Sequence, residues 1–194
     1  MWRKYTKFYY ICSMKQIFTL LTLCCLLFTG CNSSEKYRIV DGTIVYNTPA
    51  RPVGQSDMIA FAAEPIDTLR VGFIGLGMRG PGAVRRWSQI EGTKIVALCD
   101  INQQGIDKSQ NYLTAAGRER AAEYLGESAW RELCERTDID LVYIMTDWKN
   151  HAPMAIYAME CGKHVAIEVP AAMTMDEIWA LIDTSERTRK HCIQ

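Results

Sequence analysis

The chain has 194 residues, of which 48% are hydrophobic and 23% charged, a length that suits one globular domain better than two. Twenty-two basic side chains balance twenty-two acidic ones, so no global field is available to hold a polyanion. With no basic stripe or interleaved aromatic platform either, a nucleic-acid partner is not expected.

Charge is nevertheless uneven along the chain. The first 15 residues carry Arg3, Lys4, Lys7 and Lys15 and no acid, and residues 16–34 carry no charge. The apolar stretch 17–29 is too short to cross a hydrocarbon core that needs about 20 helical residues, and it reads as the apolar region of an export signal. It ends in Phe28-Thr29-Gly30-Cys31, which resembles the lipobox of bacterial lipoproteins, with Phe28 where leucine is more usual. The resemblance implies cleavage before Cys31, lipidation of its thiol and acylation of its freed amine. Several acyl chains anchor a protein stably where one does not. The membrane is therefore expected to be met only through this anchor, with the chain in the cell envelope on the periplasmic or outer-surface side. Met14-Lys15 makes a compact basic region by itself, so Met14 is an alternative start. Of the eight cysteines, Cys12, Cys24 and Cys25 leave with the signal. Cys99, Cys134, Cys161 and Cys192 remain, widely spaced and without a CxxC, so neither a zinc site nor a disulfide framework is indicated and they read as small buried apolar residues.

Residues 32–68 are rich in Ser, Asn, Pro and Gly and read as a tether and N-terminal arm, with a short hairpin expected around Asp41-Gly42. From residue 69 to 194 apolar strands alternate with amphipathic helices, the pattern of βαβ units. Strands are expected at 69–74, 94–99, 141–145 and 164–169. A helix follows the first strand, with Ala83, Val84, Trp87 and Ile90 at helical spacing, Pro81 in its first turn and Gly92 closing it. Further helices are expected at 102–116, at 128–135, at 152–161 closed by Gly162, and from the capping-box pattern Thr174-Met175-Asp176-Glu177 to about 190.

Gly75-Leu76-Gly77-Met78-Arg79-Gly80 follows the first strand and opens a helix, and an acid, Asp100, ends the second strand. This is the context that makes a GxGxxG run a dinucleotide fingerprint. Gly75 permits a tight turn, Gly77 lets backbone approach a pyrophosphate, and Gly80 lets the helix lie close on the sheet. The unpaired N–H groups of the helix start then face the phosphates. Asp100 stands where a carboxylate accepts from the adenosine ribose hydroxyls and repels a 2′-phosphate, which favours NAD over NADP. Thr146-Asp147-Trp148-Lys149-Asn150-His151 follows the third strand and Glu168-Val169-Pro170 the fourth, so both lie at the carboxyl edge where such sheets bind ligands. Taken singly, His151 is a helix-start residue, Trp148 loop packing and Glu168 a surface acid. Their shared edge is what raises them.

The run 71–80, the strand ending Ala97-Leu98-Cys99-Asp100, and Gly162-Lys163-His164-Val165 with Glu168 and Pro170 resemble the glucose-fructose oxidoreductase / inositol dehydrogenase (Gfo/Idh/MocA) superfamily. Most members carry a lysine where Val169 stands. Glu168-Val169-Pro170-Ala171-Ala172, with Gly77-Met78-Arg79-Gly80-Pro81-Gly82 and the run 146–151, is similar to glycoside hydrolase family 109, the NAD-dependent α-N-acetylgalactosaminidases. That resemblance implies a glycosidase unlike the usual two-carboxylate design. Its NAD transiently oxidises the sugar, elimination and water addition follow, and reduction closes the cycle without net redox change. It also implies that Gly75, Gly77, Met78, Arg79, Asp100, Trp148, Lys149, Asn150, His151, Glu168 and Val169 bind NAD. No metal is expected, and no catalytic residue lies in this chain. The implied partners are terminal α-N-acetylgalactosamine glycans of full-length relatives. The family continues past this length into further strands and an α+β substrate domain, and Ile193-Gln194 departs from its continuation, as a frameshift or premature stop would. The fold class expected is therefore α/β, an incomplete doubly wound parallel sheet of Rossmann type without its substrate domain. An apolar sheet edge would be left unpaired, and the fragment is expected to be poorly stable and to have no glycosidase activity. Three readings stand at this point: a truncated family 109 glycosidase, an NAD-dependent sugar or polyol oxidoreductase, and a non-enzymatic NAD-binding lipoprotein.

Overall fold

The computed structural model describes residues 37–194. The export signal, the alternative start at Met14 and the lipidation site Cys31 lie outside the described residues. The segment up to Pro49 and the body from Ala50 onward form two compact units.

In the first unit, β1 (Tyr37–Val40) pairs antiparallel with β2 (Thr43–Tyr46), placing Tyr37 opposite Tyr46 and Val40 opposite Thr43. Asp41 and Gly42 join them with φ of 50° and 78°. Left-handed backbone at both central residues is the tight hairpin turn whose twist matches the strands, as the Asp-Gly pair predicts.

The second unit alternates strand and helix: β3 (Leu69–Ile74), α1 (Gly80–Trp87), β4 (Thr93–Asp100), α2 (Gln103–Ala115), β5 (Ala122–Leu125), α3 (Ala129–Glu135), β6 (Leu141–Ile144), α4 (Trp148–Glu160), β7 (His164–Ile167), α5 (Met175–Thr188) and β8 (Cys192–Ile193). The six strands form one parallel sheet in the order β5-β4-β3-β6-β7-β8. Strand order reverses between β3 and β6, the switch point where doubly wound sheets open a crevice. Both faces are covered, and the strand period of two decides which side chain enters which layer. Val71 and Phe73 of β3 pack with Ala83, Val84, Ile106 and Leu113 from α1 and α2. Ile74 points the other way and packs with Trp130, Leu133, Ala155 and Leu181 from α3, α4 and α5. Near-continuous apolar strands are the consequence of this double burial.

Several expectations need correction. Four strands were read where six exist. The omitted β5 has only Tyr124 half-buried among its four residues, and β8 is too short to show a period. Strand β7 is paired over two residues by β8, with Val165 opposite Cys192 and Ala166 opposite Ile193, so the sheet edge lies at β8. Helix α1 ends at Trp87, leaving Ile90 exposed beyond it. Gly92, at φ 73°, turns the chain into β4 instead of closing α1. Cys99 and Cys134 are buried as expected, but Cys161 and Cys192 are only partly so.

The capping box of α5 forms as read: Thr174 Oγ1 accepts from the Glu177 N–H at 3.2 Å, and Glu177 Oε2 accepts from the Thr174 N–H at 3.1 Å. Residues 50–68, read as part of the tether, belong to the same compact unit as the sheet. Arg51 makes a two-pronged ion pair with the largely buried Glu186, both prongs at 2.9 Å. Arg189 donates to the carbonyls of Ser56 and Asp57.

Candidate functional site

The carboxyl ends of β3, β4, β6 and β7 meet around one cleft of about 980 Å³. Gly75 begins it. The Gly75 N–H donates to the Cys99 carbonyl at 2.9 Å, and its φ of 92° is one that a side chain strains. A Cβ there would meet the Met145 backbone at 2.6 Å. Gly80 makes a close approach of another kind: a Cβ would lie 2.2 Å from the Gly75 carbonyl oxygen, so only glycine lets α1 start directly against the loop. Gly77 faces open space.

The start of α1 has no side-chain cap and no acidic residue in its first turn. Its free N–H groups and the helix dipole therefore favour an anion. Arg79 lines the cleft, and its guanidinium makes no hydrogen bond or ion pair among the described residues. Met78 is 96% exposed on the same loop. An open glycine cradle, an uncapped helix start and an unpaired guanidinium fit a dinucleotide pyrophosphate.

Asp100 sits at the end of β4 as the sequence implies, but its carboxylate already serves the protein. Oδ2 accepts from the Leu76 N–H at 2.5 Å and Oδ1 from the Asn102 N–H at 2.7 Å. A carboxylate offers about four acceptor positions, so the ribose reading keeps room beside this bracing role.

Helix α4 begins at Trp148, four residues earlier than expected, with Asp147 as its N-cap residue. Lys149, Asn150 and His151 therefore belong to its first turn. Asn150 donates to Asp147 Oδ1 at 2.5 Å, and Lys149 lies 3.7 Å from Asp147 Oδ2. Trp148 is 60% exposed at the cleft wall. His151 is 1% exposed, and both ring nitrogens face carbonyls: Nδ1 lies 2.8 Å from the Pro170 oxygen and Nε2 3.1 Å from the Thr146 oxygen. The ring thus bridges the β6–α4 and β7–α5 loops, the two lips of the cleft.

Glu168 is placed by its N–H, which donates to the Ile144 carbonyl at 3.0 Å, and its Oε1 accepts from the Tyr143 hydroxyl at 3.4 Å. Burial, and then the Glu168 charge, raise the Tyr143 phenol above its ordinary value. Val169 is 59% exposed at the rim. Cys99 also lines the cleft, but burial pushes its thiol up to about 12, so it is not a thiolate nucleophile at neutral pH.

All eleven residues singled out from the sequence line this cleft. Sequence reasoning missed Asn102, Glu127 and Trp130, which line it too. A Gly-Glu pair directly after β5 would have flagged Glu127, had that strand been read. Among the described residues no cluster of three or more His, Cys, Asp or Glu side chains could hold a metal.

The family model described as an oxidoreductase family with an NAD-binding Rossmann fold matches residues 69–194. The chain is 58% identical over 176 residues to Glycosyl hydrolase family 109 protein 1 of Bacteroides thetaiotaomicron, covering 89% of this chain and 38% of that protein. It is 62% identical over 152 residues to a Glycosyl hydrolase family 109 protein of Porphyromonas gingivalis, covering 78% of this chain and 32% of that one. The chain thus spans about a third of the length of such relatives. Among solved structures, myo-inositol 2-dehydrogenase from Lactobacillus plantarum superposes with a TM-score of 0.56 at 25% identity, covering 65% of this chain and 35% of that one. Scyllo-inositol dehydrogenase from Lactobacillus casei, solved with NAD(H) and scyllo-inositol, gives 0.56 at 21% identity over 66% of this chain and 35% of its own.

Proposed function

The chain belongs to the Gfo/Idh/MocA oxidoreductase family, whose NAD-binding Rossmann fold it carries over residues 69–194, and on that premise we propose that it is the NAD-binding part of a glycosidase acting on terminal α-N-acetylgalactosaminides. The observation that carries this reading is the 58% identity to a protein named for glycoside hydrolase family 109, in a segment that includes the whole cleft. When bound, NAD supplies reversible hydride exchange with the sugar, which makes oxidation, elimination, water addition and reduction add up to cleavage without net redox change.

This chain's own residues bind and orient. The backbone from Gly77 to Gly80 and the Arg79 guanidinium hold the pyrophosphate, and Asp100 holds the loop and the adenosine ribose. Trp148 and Val169 give the other end of the cleft an apolar wall that excludes water. Sugar-binding and proton-transfer groups are assigned to the part of the relatives that this chain does not span, and cofactor binding to the residues of this cleft.

Fusing residues 69–194 to the remainder of the Bacteroides relative tests the assignment. The expected result is release of nitrophenol from a nitrophenyl α-N-acetylgalactosaminide with no net NADH. NADH accumulation with a free sugar or polyol, and no glycoside cleavage, would instead favour an oxidoreductase. Dinucleotide binding with neither reaction would favour a non-enzymatic role. We further propose that Cys31 anchors the chain in the cell envelope. Cys31→Ser should abolish incorporation of labelled palmitate in cells, and retained label would refute the anchor.

A further inference from the structure

Two carboxylates meet where β4 and β5 open into the cleft, and they are held in different ways. Asp100 is paired in register with Leu125, and the Gly126 N–H donates to the Asp100 carbonyl oxygen at 3.1 Å. Glu127 therefore stands one residue past the point where the two strand ends are tied, and it lines the same cleft as Asp100. Asp100 is half-buried, with each oxygen accepting a backbone N–H, one of them from the glycine loop itself. Glu127 is exposed and makes no hydrogen bond or ion pair among the described residues. The nearest basic group in sequence, Arg131, lies over the Trp130 ring at 4.2 Å to its centroid and does not neutralise Glu127.

A charge already clasped by two N–H donors projects less field into the cleft than a free one of the same sign. Its removal also disturbs the loop that it braces. We propose that Glu127 is a second specificity-determining residue for the dinucleotide, adding to Asp100 in repelling the 2′-phosphate of NADP, while Asp100 also holds the ribose and fixes the glycine loop on which either dinucleotide depends. The proposal rests on the NAD reading above and adds a residue to it.

The two roles predict different behaviour. Removing the Asp100 charge costs NAD affinity, because the Leu76 and Asn102 N–H groups and the ribose lose a charged acceptor. Removing the Glu127 charge leaves NAD binding nearly unchanged and admits NADP.

The test is titration of the full chain and of its Glu127→Gln and Asp100→Asn variants with NAD+ and with NADP+. Binding is followed by calorimetry and by quenching of the cleft tryptophans, at low and at high salt. The ratio of NADP+ to NAD+ affinity is expected to rise about five- to tenfold in E127Q, the size for one charge lost near a dianion across solvated space, and to rise less at high salt. In D100N the NAD+ affinity itself falls, which it does not in E127Q. An E127Q ratio within about twofold of the parent, under one-third of a tenfold free-energy step, would overturn the proposal while leaving the NAD reading intact. So would a ratio that responds to D100N alone. A parent chain that binds neither dinucleotide would overturn the NAD reading and the proposal with it.

Discussion

Replacing Gly77 and Gly80 by alanine, one at a time, should separate folding from ligand binding. At Gly80 the new methyl would lie 2.2 Å from the Gly75 carbonyl oxygen and 3.3 Å from Leu76 Cδ2. Real Cβ atoms essentially never come within 3.0 Å of such a neighbour, so the start of α1 must withdraw by about 0.8 Å or more. Ala83 and Val84, fully buried one turn later, are drawn with it. Forcing a close-packed contact apart in this way costs about 3 kcal/mol, a fall in Tm of about 6–12 °C for a unit of this size. At Gly77 the methyl meets nothing within 4 Å. Since loop Gly→Ala changes at compatible positions stabilise by about 0.4–1 kcal/mol through the unfolded chain, Tm should hold or rise slightly. The same methyl stands where the pyrophosphate is proposed to lie, so NAD+ affinity should fall by about tenfold, or 1.4 kcal/mol. Thermal unfolding and NAD+ titration of the two variants read both quantities. Wild-type NAD+ affinity in Gly77→Ala would refute the placement of the pyrophosphate, and a wild-type Tm in Gly80→Ala would refute the close-approach argument.

Other positions give independent checks. His151→Phe removes the ring nitrogens from the Thr146 and Pro170 carbonyls. Leaving such groups unpaired costs about 1–3 kcal/mol, measured as a lower urea midpoint, and dinucleotide binding should weaken as the two lips loosen. Arg51 holds the Glu186 carboxyl down to about 2, with help from Gln55. A depressed carboxyl pKa contributes stability above the ordinary value of 4.5 that is lost as pH falls toward 2. The stability gap between the parent and Arg51→Ala should therefore be constant near neutrality and close over that acid window. Urea melts across the range check it, and a gap independent of pH would exclude the ion pair as its source. His164 is held below its ordinary value by burial first, then by Lys190 and His191, with Asp140 opposing. Its Nδ1 accepts the His191 N–H at 3.0 Å. On acidification through 6.5 the unfolded chain takes up a proton that folded His164 resists, so stability falls with pH. His164→Asn, which keeps an acceptor, should flatten that part of the slope, and an unchanged slope would place its origin elsewhere.

How much of this was legible in the sequence depended on where each residue stands relative to a long apolar run. Gly75, Asp100, Thr146 and Glu168 each follow such a run directly, so the doubly wound topology alone brings them to one edge. Their gathering in one cleft needed no side-chain information. Strand β5 escaped because an edge strand buries little, and Ala122, Glu123 and Leu125 are all exposed. Strand β8 escaped because two residues carry no period. The error in strand count then placed the sheet edge one strand too early. The start of α4 was placed late because its apolar stripe begins only at His151 and Ala152, and because Pro153, inside the helix, reads as a first-turn proline.

The roles within the cleft were harder to read than its membership. Backbone N–H donors leave no mark in a sequence, so nothing showed that the Asp100 carboxylate is clasped by Leu76 and Asn102. Nothing showed either that His151 is a buried brace between loops. A substitution at either residue perturbs the scaffold and the ligand together. Arg79, Trp148, Glu127 and the apolar Val169 line the same cleft, and none of their side chains has a hydrogen-bond or ion-pair partner among the described residues. Those four are where a change in dinucleotide affinity can be ascribed to contact with the ligand itself.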